Sequence, residues 1–266
     1  MKSNFKRICL VYFSPTKTTK TILMSIAKGT GINNVISYDF TSPKSRESVP
    51  DFFKDDLIIF GIPTYAGRIP NLILSYIKSF KASHISVIPV VTFGNRAFDN
   101  SLYELKEVLK EGGFSFLAAA AFSTEHSFSS DINKGKPNEK DLREAEMFGQ
   151  KLLSLPINED LDIPGNLEEG YFKPQDRNGN PINILKVKPK TKSNCTNCKI
   201  CVNICPMGVI DKDNPSTVND PCIKCNACVR FCPNKSKYFD DSNYKYHVDE
   251  LIYLYGNNPK ENSFFY

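Results

Sequence analysis

The sequence predicts a doubly wound α/β domain with a five-stranded parallel sheet, followed by a small cysteine-rich unit. Three observations predict it. Apolar strand-like runs alternate with amphipathic helical runs over residues 6–153, a stretch rich in proline and glycine follows, and eight of the nine cysteines fall between Cys195 and Cys232. Repeated βα order sets successive strands parallel and puts helices on both faces of the sheet.

Residues 8–13 read as the first strand, because six apolar residues fall below the roughly 7–15 of a signal-peptide core and Ser14-Pro15-Thr16-Lys17 follows without a small-residue cleavage pattern. A helix at 18–28 comes next. Strands at 35–40, 57–62, 87–93 and 114–122 then alternate with helices at 70–80, 99–111 and 139–153. The longest apolar runs, 57–63 and 116–122, are far short of the ~20 residues of a membrane helix. A soluble, cytoplasmic chain with no membrane insertion is expected. The boundaries that follow are a sheet domain at 1–154, a connector at 155–190, a cysteine unit at 191–240 and a tail at 241–266. Pro156, Pro164, Pro174, Pro181 and Pro189 break up the connector. Tyr244, Tyr246, Tyr253, Tyr255, Phe264, Phe265 and Tyr266 make the tail too aromatic to stay solvated, so it should dock back on the body.

Doubly wound sheets bind ligands beyond the carboxyl ends of their strands, so the loops after residues 13, 62 and 93 are the candidate site. Ser14, Thr16, Lys17, Thr18 and Thr19 open the first helix, where free amides and hydroxyls suit a phosphate, although such hydroxyls also serve as helix caps. The second loop carries Pro63, Thr64, Tyr65, Ala66 and Gly67. The third carries Thr92, Phe93, Gly94, Asn95, Arg96 and Phe98. Tyr65 and Phe98 offer stacking faces, and Ala66, Gly67 and Gly94 let backbone amides approach a ring edge. These three loops, in register over residues 6–153, resemble the FMN-binding loops of flavodoxins. The resemblance implies FMN, with its phosphate in the first loop and its isoalloxazine between the other two. Lys17 stands where flavodoxins usually have glycine, either adding charge to the phosphate or disturbing the amide nest. His126, after the fifth strand, is a candidate catalytic proton donor or orienting group, with an ordinary structural role as the alternative.

Cys195-Thr-Asn-Cys198-Lys-Ile-Cys201-Val-Asn-Ile-Cys205-Pro206 recurs 27 residues later as Cys222-Ile-Lys-Cys225-Asn-Ala-Cys228-Val-Arg-Phe-Cys232-Pro233. Clustered cysteines without an export signal read as metal ligands rather than disulfides. Zinc sites commonly use two C-x2-C pairs held apart, whereas a triple run followed by Cys-Pro has the spacing of bacterial ferredoxins. Cys9, alone in a strand, reads as a small core residue. Residues 193–238 thus resemble the bacterial two-[4Fe-4S] ferredoxins. The resemblance implies a small α+β fold in which one cluster uses Cys195, Cys198, Cys201 and Cys232, and the other Cys222, Cys225, Cys228 and Cys205.

The formal charge of +5 would favour an acidic or nucleic-acid partner on its own. Two clusters with their thiolates would bring about −4 and a flavin phosphate up to about −2, leaving the assembled chain nearly neutral. No nucleic-acid partner is expected. Together the halves resemble fused flavodoxin-like and two-cluster ferredoxin proteins of anaerobic microbes. The resemblance implies an electron-transfer iron–sulfur flavoprotein with redox protein partners. The alternatives are a flavin-dependent reductase of a small molecule fed by the clusters, and a ferredoxin joined to a flavin-free docking domain.

Overall fold

The computed structural model describes residues 5–266; residues 1–4 of the sheet domain lie outside the described residues. β1 (Arg7–Tyr12), β3 (Asp56–Pro63) and β4 (Ile85–Phe93) are buried almost throughout, as central strands covered on both faces must be. β2 (Val35–Asp39) alternates exposed and half-buried residues, which suits its place at the sheet edge. The parallel strands run β2-β1-β3-β4 and then the fifth position, the order of a flavodoxin-like doubly wound sheet.

Helices α1 (Thr18–Thr30) and α4 (Glu139–Leu152) cover one face through Ile22, Leu23, Ile26, Phe148 and Leu152. Helices α2 (Asn71–Lys78) and α3 (Ser101–Glu111) cover the other through Ile73, Ile77, Leu102 and Leu105. α1 and α4 meet backbone to backbone, and a Cβ at Gly149 would lie 2.0 Å from the Ile26 carbonyl oxygen, so only glycine permits the approach.

The fifth position differs from expectation. The run at 114–122 is two strands, β5 (Phe114–Phe116) and β6 (Ala119–Ser123), both parallel to β4. Val87 pairs with Phe116 but Val90 with Ala120, so one extra residue enters the outer strand. The slip falls at Pro89, which has no N–H to give the ladder.

Past the sheet domain, β7 (Lys190–Thr191) pairs antiparallel with β8 (Lys237–Tyr238) and closes a unit holding two one-turn helices, α5 (Ile200–Asn203) and α6 (Ala227–Arg230). In the tail, α7 (Ser242–Tyr255) starts on an Asp241 cap that accepts from the Tyr244 amide at 3.0 Å. The final strand β9 (Ser263–Phe265) then pairs antiparallel with β6, so the parallel sheet gains an antiparallel edge. Phe264 seats against Phe122 and Phe148 there. Among the described residues no helix is long and apolar enough to cross a membrane.

The cysteine unit sits on the carboxyl edge of the sheet. Arg46 donates to the Pro206 carbonyl at 2.7 Å, Arg230 pairs with Glu125 at 3.1 Å, the Lys17 ammonium lies 5.0 Å from the Phe231 ring centroid, and Ile223 packs into the sheet-domain core.

Candidate functional site

The two cysteine runs fold alike. Asn197 and Lys199 adopt positive φ (55° and 62°), and so do Lys224 and Asn226 (54° and 59°), each 27 residues further on. These left-handed residues flank the second cysteine of each run and turn the chain tightly around a common centre. Each run borrows its fourth thiol from the other. One cavity is lined by Cys195, Cys198, Cys201 and Cys232, and the second by Cys222, Cys225, Cys228 and Cys205. All nine cysteines are free thiols. The second cavity is the inner one: Cys225 is buried, whereas Cys198 in the first is exposed. Burial raises the Cys225 thiol and pushes Cys228 up to about 12. At Cys232 burial also acts upward, but backbone amides donating to the sulfur, Ser236 at 3.2 Å among them, outweigh it and lower the group.

On the sheet domain, Lys17 occupies the N-cap of α1 with φ 65°, and its own side chain makes no capping bond. The conformation is the one a glycine would take without strain. The Lys17 amide bonds to Ser14 O and the Lys20 amide to Ser14 Oγ, while among the described residues no protein acceptor meets the amides of Thr16, Thr18 or Thr19. Thr16 and Thr18 hydroxyls lie 3.3 Å apart beside them. Thr19 turns inward to Thr92, 2.8 Å between hydroxyls.

The second loop is a tight hairpin turn: Tyr65 and Arg68 exchange backbone hydrogen bonds at 3.0 and 3.1 Å across Ala66 (φ 49°) and Gly67 (φ 79°). Pro63 ends β3, and the Thr64 hydroxyl pairs with Ser101 at 2.6 Å. Arg68 forks onto Glu104 at 2.7 and 3.0 Å, and the connector straps the turn through the Phe172 amide on Ala66 O. Burial raises the Tyr65 phenol well above its ordinary 10, and Cys225 and Cys222 raise it further. Ile223, which lines the inner cavity, packs against the sheet-domain core, so this cavity is the one turned toward the sheet domain. The third loop is occupied by protein. Gly94 receives the His126 ring where a Cβ would stand, Asn95 is fully buried with its amide on Tyr255 O and Asn258 O, Arg96 pairs with Asp99 and lies over Phe172, and Phe98 packs between Phe93 and Phe265. Asp99 likewise fills the space above Gly67.

Comparison with protein-family models gives one match, to the 4Fe-4S dicluster domain. Residues 194–236 match that family. The dicluster unit therefore coincides with the duplicated cysteine runs. Solved flavodoxins are similar to a little over half of the chain: one from the domain Archaea (15% identity, covering 56% of this chain and 96% of that one, TM-score 0.41), oxidised flavodoxin 2 of Bacillus cereus (15%, 56% and 98%, 0.43), and a Fusobacterium nucleatum flavodoxin bound to flavin mononucleotide (15%, 56% and 96%, 0.38). Comparison with curated proteins gives no match. The chain thus joins a flavodoxin-like sheet domain to a ferredoxin-type dicluster unit.

A row of side chains links this unit to the third loop; the sequence singles out His126 and Tyr244 in it, but not Asn226, Phe128 or His247. Asn226, between two cysteines of the inner cavity, donates to the Tyr244 hydroxyl at 2.9 Å; Tyr244 meets Phe128, and Phe128 meets both His126 and His247. Asparagine at a tight turn is the only sequence signal for the other three. The Phe128 amide donates to His126 Nδ1 at 3.0 Å, so the neutral ring carries its proton on Nε2. Burial, then repulsion from His247 and Arg96, pushes His126 down to about 4. Its stabilising contribution is complete above about pH 6.5, its unfolded value, and is lost as pH falls toward 4, a span worth roughly 3 kcal/mol. Thermal melts across that window should show a shallower acid slope for His126→Gln than for wild type; parallel slopes would refute the assignment.

Proposed function

We propose that this chain is an electron-transfer iron–sulfur flavoprotein, holding two [4Fe–4S] clusters in the dicluster unit and FMN at the carboxyl edge of the sheet. The observation that supports it most is the pair of four-cysteine cavities, each completed from the other run, with the inner one turned toward the sheet domain through Ile223. The donor set fits iron–sulfur clusters: no Asp, Glu or His lines either cavity, and among the described residues no three Cys, His, Asp or Glu converge as ligands of a single ion. Thiols raised by burial must give up protons as metal binds. The amides of Thr16, Thr18 and Thr19, with the positive end of α1, fit a phosphate, and αL Lys17 shapes the nest.

FMN exchanges one or two electrons and a [4Fe–4S] cluster one, so together they connect single-electron carriers to a two-electron partner. The protein's contribution is to hold the inner cavity against the sheet domain through Ile223 and to cover it with buried Tyr244, which bonds to Asn226 in its lining. A second reading, a ferredoxin with a flavin-free docking domain, is favoured by the third loop, where His126, Asp99 and the tail occupy space a ring edge would need. Iron, sulfide and flavin content of anaerobically purified protein separates the two. About eight irons and one FMN per chain are expected, and iron without flavin after reconstitution would leave the second reading.

A further inference from the structure

We propose that the outer end of the dicluster unit, around Cys198, is the docking surface for an acidic one-electron carrier protein. The inner end is committed to the sheet domain: Ile223 enters its core, and Pro206, next to Cys205, accepts from Arg46. The outer end faces solvent, with Cys198 exposed and Ile200 37% exposed beside it. The order of the two cavities therefore runs from solvent to the sheet domain, and a carrier reaches the chain at the outer one.

Charge selects the carrier. Residues 190–240 carry eight Lys or Arg against four Asp and no Glu, the reverse of what a basic partner would need. Around the outer cavity the bias is sharper. Lys199 and Lys237 line it without any carboxylate, Lys237 buried with its ammonium on Pro215 O and Lys199 donating to the Lys212 and Asp213 carbonyls, while exposed Lys192 and Lys235 form the outer rim, one bonded through its amide to Ser236 O and the other to Cys232 O. The negative charge of a bound cluster would lie inside this lysine rim. A positive rim around a small exposed apolar spot steers acidic partners and rejects basic ones. In each encounter one electron leaves the carrier, which is oxidised by one, and enters the chain, which is reduced by one; no bond forms and no proton moves.

This inference rests on the function proposed above, so iron and flavin are assayed on the same samples. The probes are an acidic [2Fe–2S] ferredoxin and a basic c-type cytochrome, titrated by surface plasmon resonance onto the full-length, cofactor-loaded chain over a range of salt. Affinity for the acidic probe should fall steeply with salt and drop at least about tenfold in Lys192→Glu/Lys235→Glu. Lys78→Glu/Lys81→Glu, at the opposite end of the sheet, should bind as wild type does. A loaded chain that binds the acidic probe equally well in both double variants, or that prefers the basic probe, overturns the docking surface. A chain that carries no clusters overturns the functional reading instead.

Discussion

In a Cys232→Ser chain, iron falls from about eight to about four per molecule, and Cys205→Ser loses a similar amount from the other centre. The two residues belong to different sequence runs from the cavities they line. Cys232 follows the second run yet lines the cavity of Cys195, Cys198 and Cys201, while Cys205 follows the first and lines that of Cys222, Cys225 and Cys228. Each variant should therefore keep a different centre. The survivor in Cys232→Ser is the one at buried Cys225, and the survivor in Cys205→Ser is the one at exposed Cys198. Their low-temperature EPR spectra in the reduced state should differ, and neither should show the coupling between two neighbouring spins expected of the wild type. Identical spectra from both variants would mean that one and the same centre survives in both and would contradict the exchanged ligation; survivors in the reverse order would mean that each run supplies all four of its own ligands.

The second large effect is expected from Thr18→Glu. Thr18 is the first residue of α1, where a carboxylate is favourable to the helix by about 0.3–1 kcal/mol. The same carboxylate would occupy the amides of Thr16, Thr18 and Thr19 and oppose a phosphate dianion, and like-charge contacts cost several kcal/mol. Flavin affinity should fall more than about 100-fold while melting temperature is unchanged or slightly raised. Measuring retained flavin after gel filtration alongside a thermal melt checks both parts. Full flavin retention with a normal melt would place the phosphate elsewhere.

The cysteine unit was legible because its information is local: spacing alone groups the thiols, and the exchange of the fourth ligand follows from the ferredoxin pattern. The parallel doubly wound sheet was legible from βα alternation. What the sequence hid depends on contacts between distant segments. Pro89 breaks the outer strand because of where it falls opposite residues 116–120. Asn95 and Phe98 read as open-loop residues, but the tail more than 150 positions later reaches them through Tyr255, Asn258 and Phe265. Lys17 looked like a departure from a glycine position; in the fold it takes the glycine-like conformation and reaches Phe231 of the dicluster unit. Such pairings carry no sequence period, so only the folded chain reveals them.

Electron exchange within one chain is the central claim, and flash photolysis that delivers a single electron to the cofactor-loaded protein tests it most directly. Followed at the flavin and iron–sulfur absorption bands over a range of protein concentrations, the electron should redistribute between the two at a rate independent of concentration. A rate that scales with concentration, or an electron that stays where it first lands, would contradict the account.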